Sequence, residues 1–381
     1  MAKTNRIFIH AAIVLAISYI IALCFMLITK SLPYFSALDE SGDVPMTDKY
    51  LLYNSRIEPT RLDENIVFVD VDFCKDRFEI AQVIEQIDAL QPKVIGLDVF
   101  FRNPREPGAD AMLENVVRKC KNLVITCILE DEQTNDNNKY NVCNRNFFSA
   151  RDDTDFTEGF INLDSDGSSP VRTFTPILFL EREKSPDTLY CFAAQVIRLC
   201  NETTFRKLLQ RAGNTEIIHY QPLRFQEIDK DEIKDNQELI TGKIVLIGSL
   251  SEDLHNTPIH PQMRGMEIHA HIISTIFEEK YIDRLDNIWT KLLNMLFCYL
   301  FTLFCCYATT RFKKGVSILI KLAQIAILAL AFFAGYYFFN HYRIDITYAW
   351  TIFVMGVVIL FVDTITFISV WTINRFSNII K

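Results

Sequence analysis

Three aspartates stand where an open α/β sheet binds its ligands. Asp70 and Asp72 end the apolar run Ile66-Val-Phe-Val-Asp70-Val-Asp72, and Asp98 lies late in Val94-Ile-Gly-Leu-Asp98-Val-Phe100. If both runs are parallel strands, the carboxylates sit at their carboxyl ends, beside the crevice where such sheets hold ligands. Acidic groups there can hold a cation or orient a polar molecule. Aspartate at a strand–helix junction equally serves to satisfy loose backbone donors, and position alone leaves both roles open.

A second group lies downstream. Ser251-Glu-Asp253-Leu-His255-Asn-Thr257-Pro258 is followed by Arg264-Gly-Met-Glu-Ile-His269-Ala-His271. The string falls between a buried strand and a helix, a usual place for a functional loop. Asp253, Thr257 and His269 are therefore expected to line or brace the same crevice as Asp70, Asp72 and Asp98, as a ligand-binding set. His269 shares a helix face with Ile272, Ile273 and Ile276, so its imidazole is expected to brace the loop rather than ligate a metal. His271 aligns with Ser274 and Thr275 and is expected on a solvated face.

Other chemistry is thinly represented. Asn162-Leu-Asp164-Ser-Asp166-Gly167 imitates the start of a calcium loop, but Thr173 stands where the closing glutamate belongs. It reads as a turn. The sequence has no phosphate-cradling glycine loop, no G-x-S-x-G elbow and no H-E-x-x-H helix. No catalytic residue and no metal ligand is assigned, and the sequence names no cofactor.

The elements that must position these residues alternate between strand and helix. Strands are expected over 66–70, 94–100, 123–129 and 243–248. Helical spacing of apolar residues predicts helices over 79–90, 110–120, 189–200 and 265–277. A βαβαβ run of this kind favours a mainly parallel sheet flanked by helices. The polar, Asn-rich stretch 131–146 reads as an exposed excursion. Strand order is not legible.

Four apolar runs frame this α/β block, over 7–28, 288–308, 316–339 and 346–371. Each is near the roughly 20 residues that span a bilayer as helix. The expected organisation is an N-terminal anchor over 1–29, a large outer domain over 30–287, three transmembrane helices over 288–373 and a short tail over 374–381. The first run exceeds a signal-peptide core and lacks a small-residue cleavage site, so it reads as an uncleaved anchor. Lys3, Arg6, Arg311, Lys313, Lys314 and Arg375 place both termini and the 311–314 loop in the cytoplasm by the positive-inside rule. Inside the last run stands Asp363, an ionisable group at a depth where such groups are functional by default. Lys321 lies near enough to the inner surface to snorkel.

Charge follows the same division. Residues 1–29 carry +2 and residues 288–381 carry +6, which leaves −16 on residues 30–287 of a chain whose net charge is −8. So acidic a surface repels phosphate backbones, and nucleic acid is not an expected partner. Six cysteines lie in the outer block, at 74, 120, 127, 143, 191 and 200. An exported domain can form disulfides, and six cysteines allow 15 pairings. None of the spacings suits zinc.

At these residues the chain resembles the type-2 CHASE domain, a bacterial extracytoplasmic sensory domain. The matching strings are Ile66-Val-Phe-Val-Asp70-Val-Asp72, Pro92-Lys-Val-Ile-Gly96-Leu-Asp98, Asp164-Ser-Asp166-Gly167 with Val171-Arg172, Gly242-Lys-Ile-Val-Leu-Ile-Gly248, Asp253-Leu-His-Asn-Thr257-Pro258 and Gly265-Met-Glu-Ile-His269. They occur in order across most of residues 40–280. The resemblance implies a sensor in the bacterial inner membrane, with helices that usually lead to a cytoplasmic cyclase or kinase. The tail over 374–381 is too short for such an output domain. The expectation is thus a sensor without enzyme activity of its own that signals through a separate membrane or cytoplasmic protein. Its stimulus would be an unknown small ligand or envelope component, and a homo-oligomer is possible. Two other readings compete: a structural subunit of an envelope complex, and a metal-assisted hydrolase built on the three aspartates.

Overall fold

The computed structural model describes residues 2–30, 46–130, 142–149, 156–163, 169–180, 187–211, 213–251, 253–285, 288–311, 317–346 and 349–379. Asp164, Asp166 and Gly167, most of the 131–146 excursion, and the basic loop beyond Arg311 lie outside them. The chain divides into two compact units: Leu51–Tyr281, and a second made of Met1–Tyr50 with Ile282–Lys381.

In chain order the elements begin with α1 (Ala2–Lys30), α2 (Met46–Ile57), β1 (Arg61–Asp70), α3 (Arg77–Ala89), β2 (Val94–Asp98), α4 (Pro107–Lys119) and β3 (Leu123–Glu130). Short strands follow: β4 (Val142–Asn144), β5 (Thr157–Phe160), β6 (Thr173–Phe174), β7 (Ile177–Leu180) and β8 (Asp187–Tyr190). Next come α5 (Phe192–Cys200), α6 (Glu202–Leu209), β9 (Glu216–Ile217), β10 (Leu223–Asp229), α7 (Gln237–Ile240), β11 (Ile244–Gly248), β12 (Leu254–His255), β13 (Met263–Arg264) and α8 (Gly265–Phe277). The last are β14 (Asp283–Leu285), α9 (Ile288–Arg311), α10 (Ser317–Tyr342), β15 (Ile344–Ile346) and α11 (Ala349–Ile379).

The Leu51–Tyr281 unit is built on a seven-stranded sheet of order β10-β1-β11-β2-β3-β4, with β5 also paired to β3. All its pairings are parallel except β3 with β4. The expected mixed α/β class and mainly parallel sheet are thus observed. The four central strands are apolar runs because both of their faces are covered, as parallel sheets require. Val67, Val69, Ile95, Leu97, Val245 and Ile247 pack with Ala81, Ile84 and Ile87 of α3 and with Leu113, Val116 and Val117 of α4. The opposite face meets α5: a Cβ on Gly96 would come within 2.7 Å of both Leu246 Cδ2 and Phe192 Cζ. A side chain at 96 would push α5 off the sheet.

Helix starts follow local chemistry. Asp76 caps α3 by accepting from Glu79 N at 3.0 Å, while Glu79 Oε2 accepts from Lys75 N at 3.1 Å. Pro107 opens α4, where its missing N–H costs nothing. The Arg77 guanidinium, on α3, reaches Asp110 Oδ1 on α4 at 2.5 Å and the Asn103 carbonyl at 2.7 Å. It also lies over the rings of Phe101 and Phe147.

Two local expectations are corrected. The helix expected from Leu189 begins at Phe192, because Leu189 pairs with Leu178 in the antiparallel β7–β8 hairpin. Tertiary pairing here overrides a helical spacing. His271 is buried, not solvated, and so are Ser274 and Thr275. The ring of His271 meets Tyr220 and Phe225 edge to face. Thr275 Oγ1 donates to His271 O at 2.7 Å and accepts from His219 N at 3.1 Å. A polar stripe on α8 is therefore an inner face, with the Thr275 hydroxyl absorbed by backbone groups.

In the second unit, Ala11, Val14 and Ala22 of α1 pack with Cys298, Phe301 and Cys305 of α9 and with Val354, Val358 and Val362 of α11. Tyr50 sits among the rings of Phe332, Tyr336 and Phe339 of α10. β14 and β15 form a parallel pair. Among the described residues, three helical stretches are long and apolar enough to cross a membrane: Ile7–Phe25, Ile288–Arg311 and Ile318–Tyr342. The fourth expected span is represented by the shorter apolar stretch Trp350–Ile365 within α11.

Candidate functional site

Register brings the carboxyl ends together. Asp70 is opposite Asp229 on β10 and Gly248 on β11, and Gly248 is opposite Asp98 on β2. Because β11 lies between β1 and β2, the two aspartates are separated by a glycine rather than adjacent. A Cβ on Gly248 would come within 2.5 Å of Met266 Cε and 3.2 Å of Asp98 Cβ. The missing side chain lets α8 close over the strand ends.

On the β1 side the carboxylates work as fasteners. Asp70 Oδ1 accepts from Asp72 N at 2.9 Å, closing a local turn. Asp72 Oδ2 accepts from Leu250 N at 3.1 Å and Ser251 N at 2.9 Å, which pins the loop after β11. Burial raises the Asp72 pKa, but hydrogen bonds from Ser249, Ser251 and Leu250 outweigh it and hold the group below the usual carboxylate range. Asp70 is held above that range, by burial first and by the nearby Asp72 charge, against the backbone hydrogen bonds it receives.

The β2 side is different. Asp253 has a left-handed backbone, φ 62°, and its Oδ1 lies 2.8 Å from His255 Nε2. That contact holds Asp253 below the usual range against its burial, and it raises His255 above the ordinary imidazole value. Gly265 N donates to Asp253 O at 2.8 Å, and a Cβ at 265 would overlap Asp253 Oδ2. The short β12–β13 hairpin, with Leu254 opposite Arg264 and His255 opposite Met263, delivers the chain to that contact. Asp98 is pushed up to about 7, by burial first and then by the charge of Asp253. His269 is buried with its ring edge to face on Phe192, 5.5 Å between centroids. Burial lowers it to about 4, against the opposing pull of Asp253, so it is neutral at physiological pH.

Five of the six expected residues sort into two groups. Asp98, Asp253 and His269 form one electrostatic cluster, with Asp253 interacting with both of the others. Asp70 and Asp72 form a second. Thr257 joins neither: its Oγ1 donates to His260 O at 2.8 Å and accepts from His260 N at 3.0 Å, fastening a turn. His255 belongs to the same polar loop string but is not one of the six expected site residues; its contact with Asp253 brings it into the cluster. Asp229, also unforeseen, caps a short 3-10 turn by accepting from Asp231 N at 3.0 Å.

Chemically, the cluster combines an ionised acceptor at Asp253, a carboxyl at Asp98 that titrates near neutrality and a neutral imidazole. It suits hydrogen bonding to a polar molecule. Among the described residues, no group of three or more His, Cys, Asp or Glu side chains is placed to hold a metal ion. None of the ten cysteines is joined in a disulfide. In the second unit, Asp363 Oδ2 lies 3.0 Å from Lys321 Nζ, which also donates to Ile359 O at 2.6 Å. Lys321 therefore points to α11.

No curated protein and no solved structure matches the chain. A family model, that of the CHASE2 domain, matches residues 22–307. That match covers most of the chain, including every strand end and loop of the site. With the strand-end aspartates, the Gly265–Asp253 contact and a mainly parallel sheet in place, the chain belongs to the CHASE2 domain family, a family of extracytoplasmic sensory domains.

Proposed function

We propose that this protein is a membrane-anchored sensor whose α/β unit binds a small polar ligand or envelope component outside the bacterial inner membrane. The observation that carries this reading is the Asp98–Asp253–His255–His269 cluster at the strand ends of a CHASE2 domain. α1, α9, α10 and α11 are the four spans, and α11 spans with residues beyond its Trp350–Ile365 stretch. Lys3, Arg6, Lys313, Lys314 and Arg375 support cytoplasmic termini. Asp98, Asp253, His255 and His269 contact the ligand, while Asp70, Asp72 and Thr257 hold the loops around it. Ligand binding shifts the population of helix arrangements, and a separate membrane or cytoplasmic protein reads the change.

The test is affinity capture of the full chain after crosslinking in its native membranes, repeated with Asp253→Asn. The reading expects a specific integral or cytoplasmic partner whose recovery changes with the variant. Recovery of no other protein under all growth conditions would count decisively against it.

A further inference from the structure

We infer that the Lys321–Asp363 pair is the centre of an interface between two copies of this chain in the membrane, an inference that rests on the reading of α10 and α11 as spans. The pair joins neighbouring helices, Lys321 Nζ being 3.0 Å from Asp363 Oδ2. It is not enclosed by its own unit: the Asp363 side chain is 53% exposed and that of Lys321 30%. The residues around it are apolar and open, with Leu360 73% exposed and Leu319, Leu322 and Ile325 exposed as well. In hydrocarbon, ionised groups face other protein or a wet cavity, not lipid tails. Lys321 stands one turn inside the apolar stretch that begins at Ile318, where an ammonium can snorkel to water, yet it turns across to Asp363 and the Ile359 carbonyl. The pair is thus held on a face that another protein surface must cover.

The charge pattern selects the occupant. The pair is neutral as a whole, so a partner with one ionised group would leave a net charge in the bilayer. What fits is a second dipole of opposite sense. Two copies inserted the same way round are related by a two-fold axis along the membrane normal, the commonest oligomer symmetry. Such an axis reverses every direction in the membrane plane. A bridge between adjacent spans runs in that plane, so the second copy presents its Asp363 to Lys321 and its Lys321 to Asp363. Donor counting agrees. An ammonium has three N–H donors, and Asp363 and the Ile359 carbonyl take two. The third is left for the carboxylate of the second copy, and the four charges alternate.

Charge reversal in trans tests this with full-length chains carrying two different tags, captured from native membranes without harsh detergent. Wild-type copies are expected to retrieve each other. Lys321→Asp alone places four carboxylates together, and Asp363→Lys alone four ammonium groups, so self-capture should fall at least tenfold in each. Co-expressed, the two variants should retrieve each other, because each supplies the charge the other lacks. The double variant Lys321→Asp/Asp363→Lys should self-capture like wild type. As a measurement that leaves the pair intact, Leu360→Cys should give an oxidant-induced dimer on non-reducing gels, beyond that of the parent chain, and Leu293→Cys on α9 should not.

Monomeric wild type, self-capture indifferent to charge, or no dimer from Leu360→Cys would each overturn the inference. So would another polypeptide or an anionic phospholipid crosslinked at position 360 in place of a second copy. Alkaline extraction of the same membranes separates the two levels. Release of the chain would defeat the reading of the helices as spans, whereas retention of a monomeric chain would defeat only the paired interface.

Discussion

Gly265 donates its N–H to the Asp253 carbonyl at 2.8 Å and leaves no room for a Cβ beside the Asp253 carboxylate. The first residue of α8 and the residue at φ 62° thus hold each other in place. Gly265→Ala should expel the carboxylate from the cluster and lower stability by about 1–3 kcal/mol, the usual cost of overpacking. Thermal unfolding of the full chain in lipid nanodiscs would register the loss. The His255 imidazole should also return toward its ordinary pKa, since Asp253 is what raises it, and an NMR titration of that ring checks this.

Asp98 makes a pH prediction with a definite sign. Its carboxyl rises from 3.8 unfolded to about 7 folded, so the folded protein holds the proton longer. Its contribution to stability is full below about pH 4 and is lost as pH rises to about 7. Asp98→Asn removes that loss. The variant should match wild type near pH 4 and exceed it increasingly up to pH 8. His269 and His271, lowered from 6.5 to about 4, act in the opposite direction, losing stability as pH falls. They are present in both proteins and cancel in the difference. A pH-independent difference in unfolding midpoints would contradict the burial of Asp98.

Asp72→Ala should loosen the loop after β11 without disturbing the sheet. Two backbone donors, Leu250 N and Ser251 N, lose their acceptor. By analogy with deleted helix caps the cost is about 1 kcal/mol. Hydrogen exchange should accelerate at those two amides and leave β1 protected. Acceleration throughout β1 would mean that Asp72 holds the strand and not the loop.

The Arg77–Asp110 bridge is enclosed, each side chain being 8% exposed. Asp110→Ala strands a buried guanidinium and should cost about 3–5 kcal/mol. Replacing both partners, Arg77→Met with Asp110→Leu, should recover most of it, because no uncompensated charge is left. Equilibrium unfolding of the three proteins decides the point. A double variant as weak as the single one would show that the aromatic contacts of Arg77, not its charge, carry the stability.

Much of the α/β unit was legible. The apolar runs ending at Asp70, Asp98 and Gly248 are strands because residues covered on both faces leave no polar alternation. The helix expected over 265–277 matches α8 residue for residue. Where reading failed, a distant segment had intervened. Leu189 joined a hairpin with Leu178, and His271 met Tyr220 and Phe225, which approach from another part of the chain.

The sequence by itself determined the alternation of strand and helix, the apolar runs and the identity of the strand-end aspartates, because periodicity and capping are properties of a few neighbouring residues. Tertiary structure alone decided what those aspartates do. β11, some 150 residues downstream, enters between β1 and β2, separates Asp70 from Asp98 and carries Asp253 to the second of them. A carboxylate becomes a fastener or a binding group according to which donors and charges arrive beside it, and those come from segments whose pairing no local pattern encodes. Lys321 and Asp363, 42 positions apart, meet for the same reason.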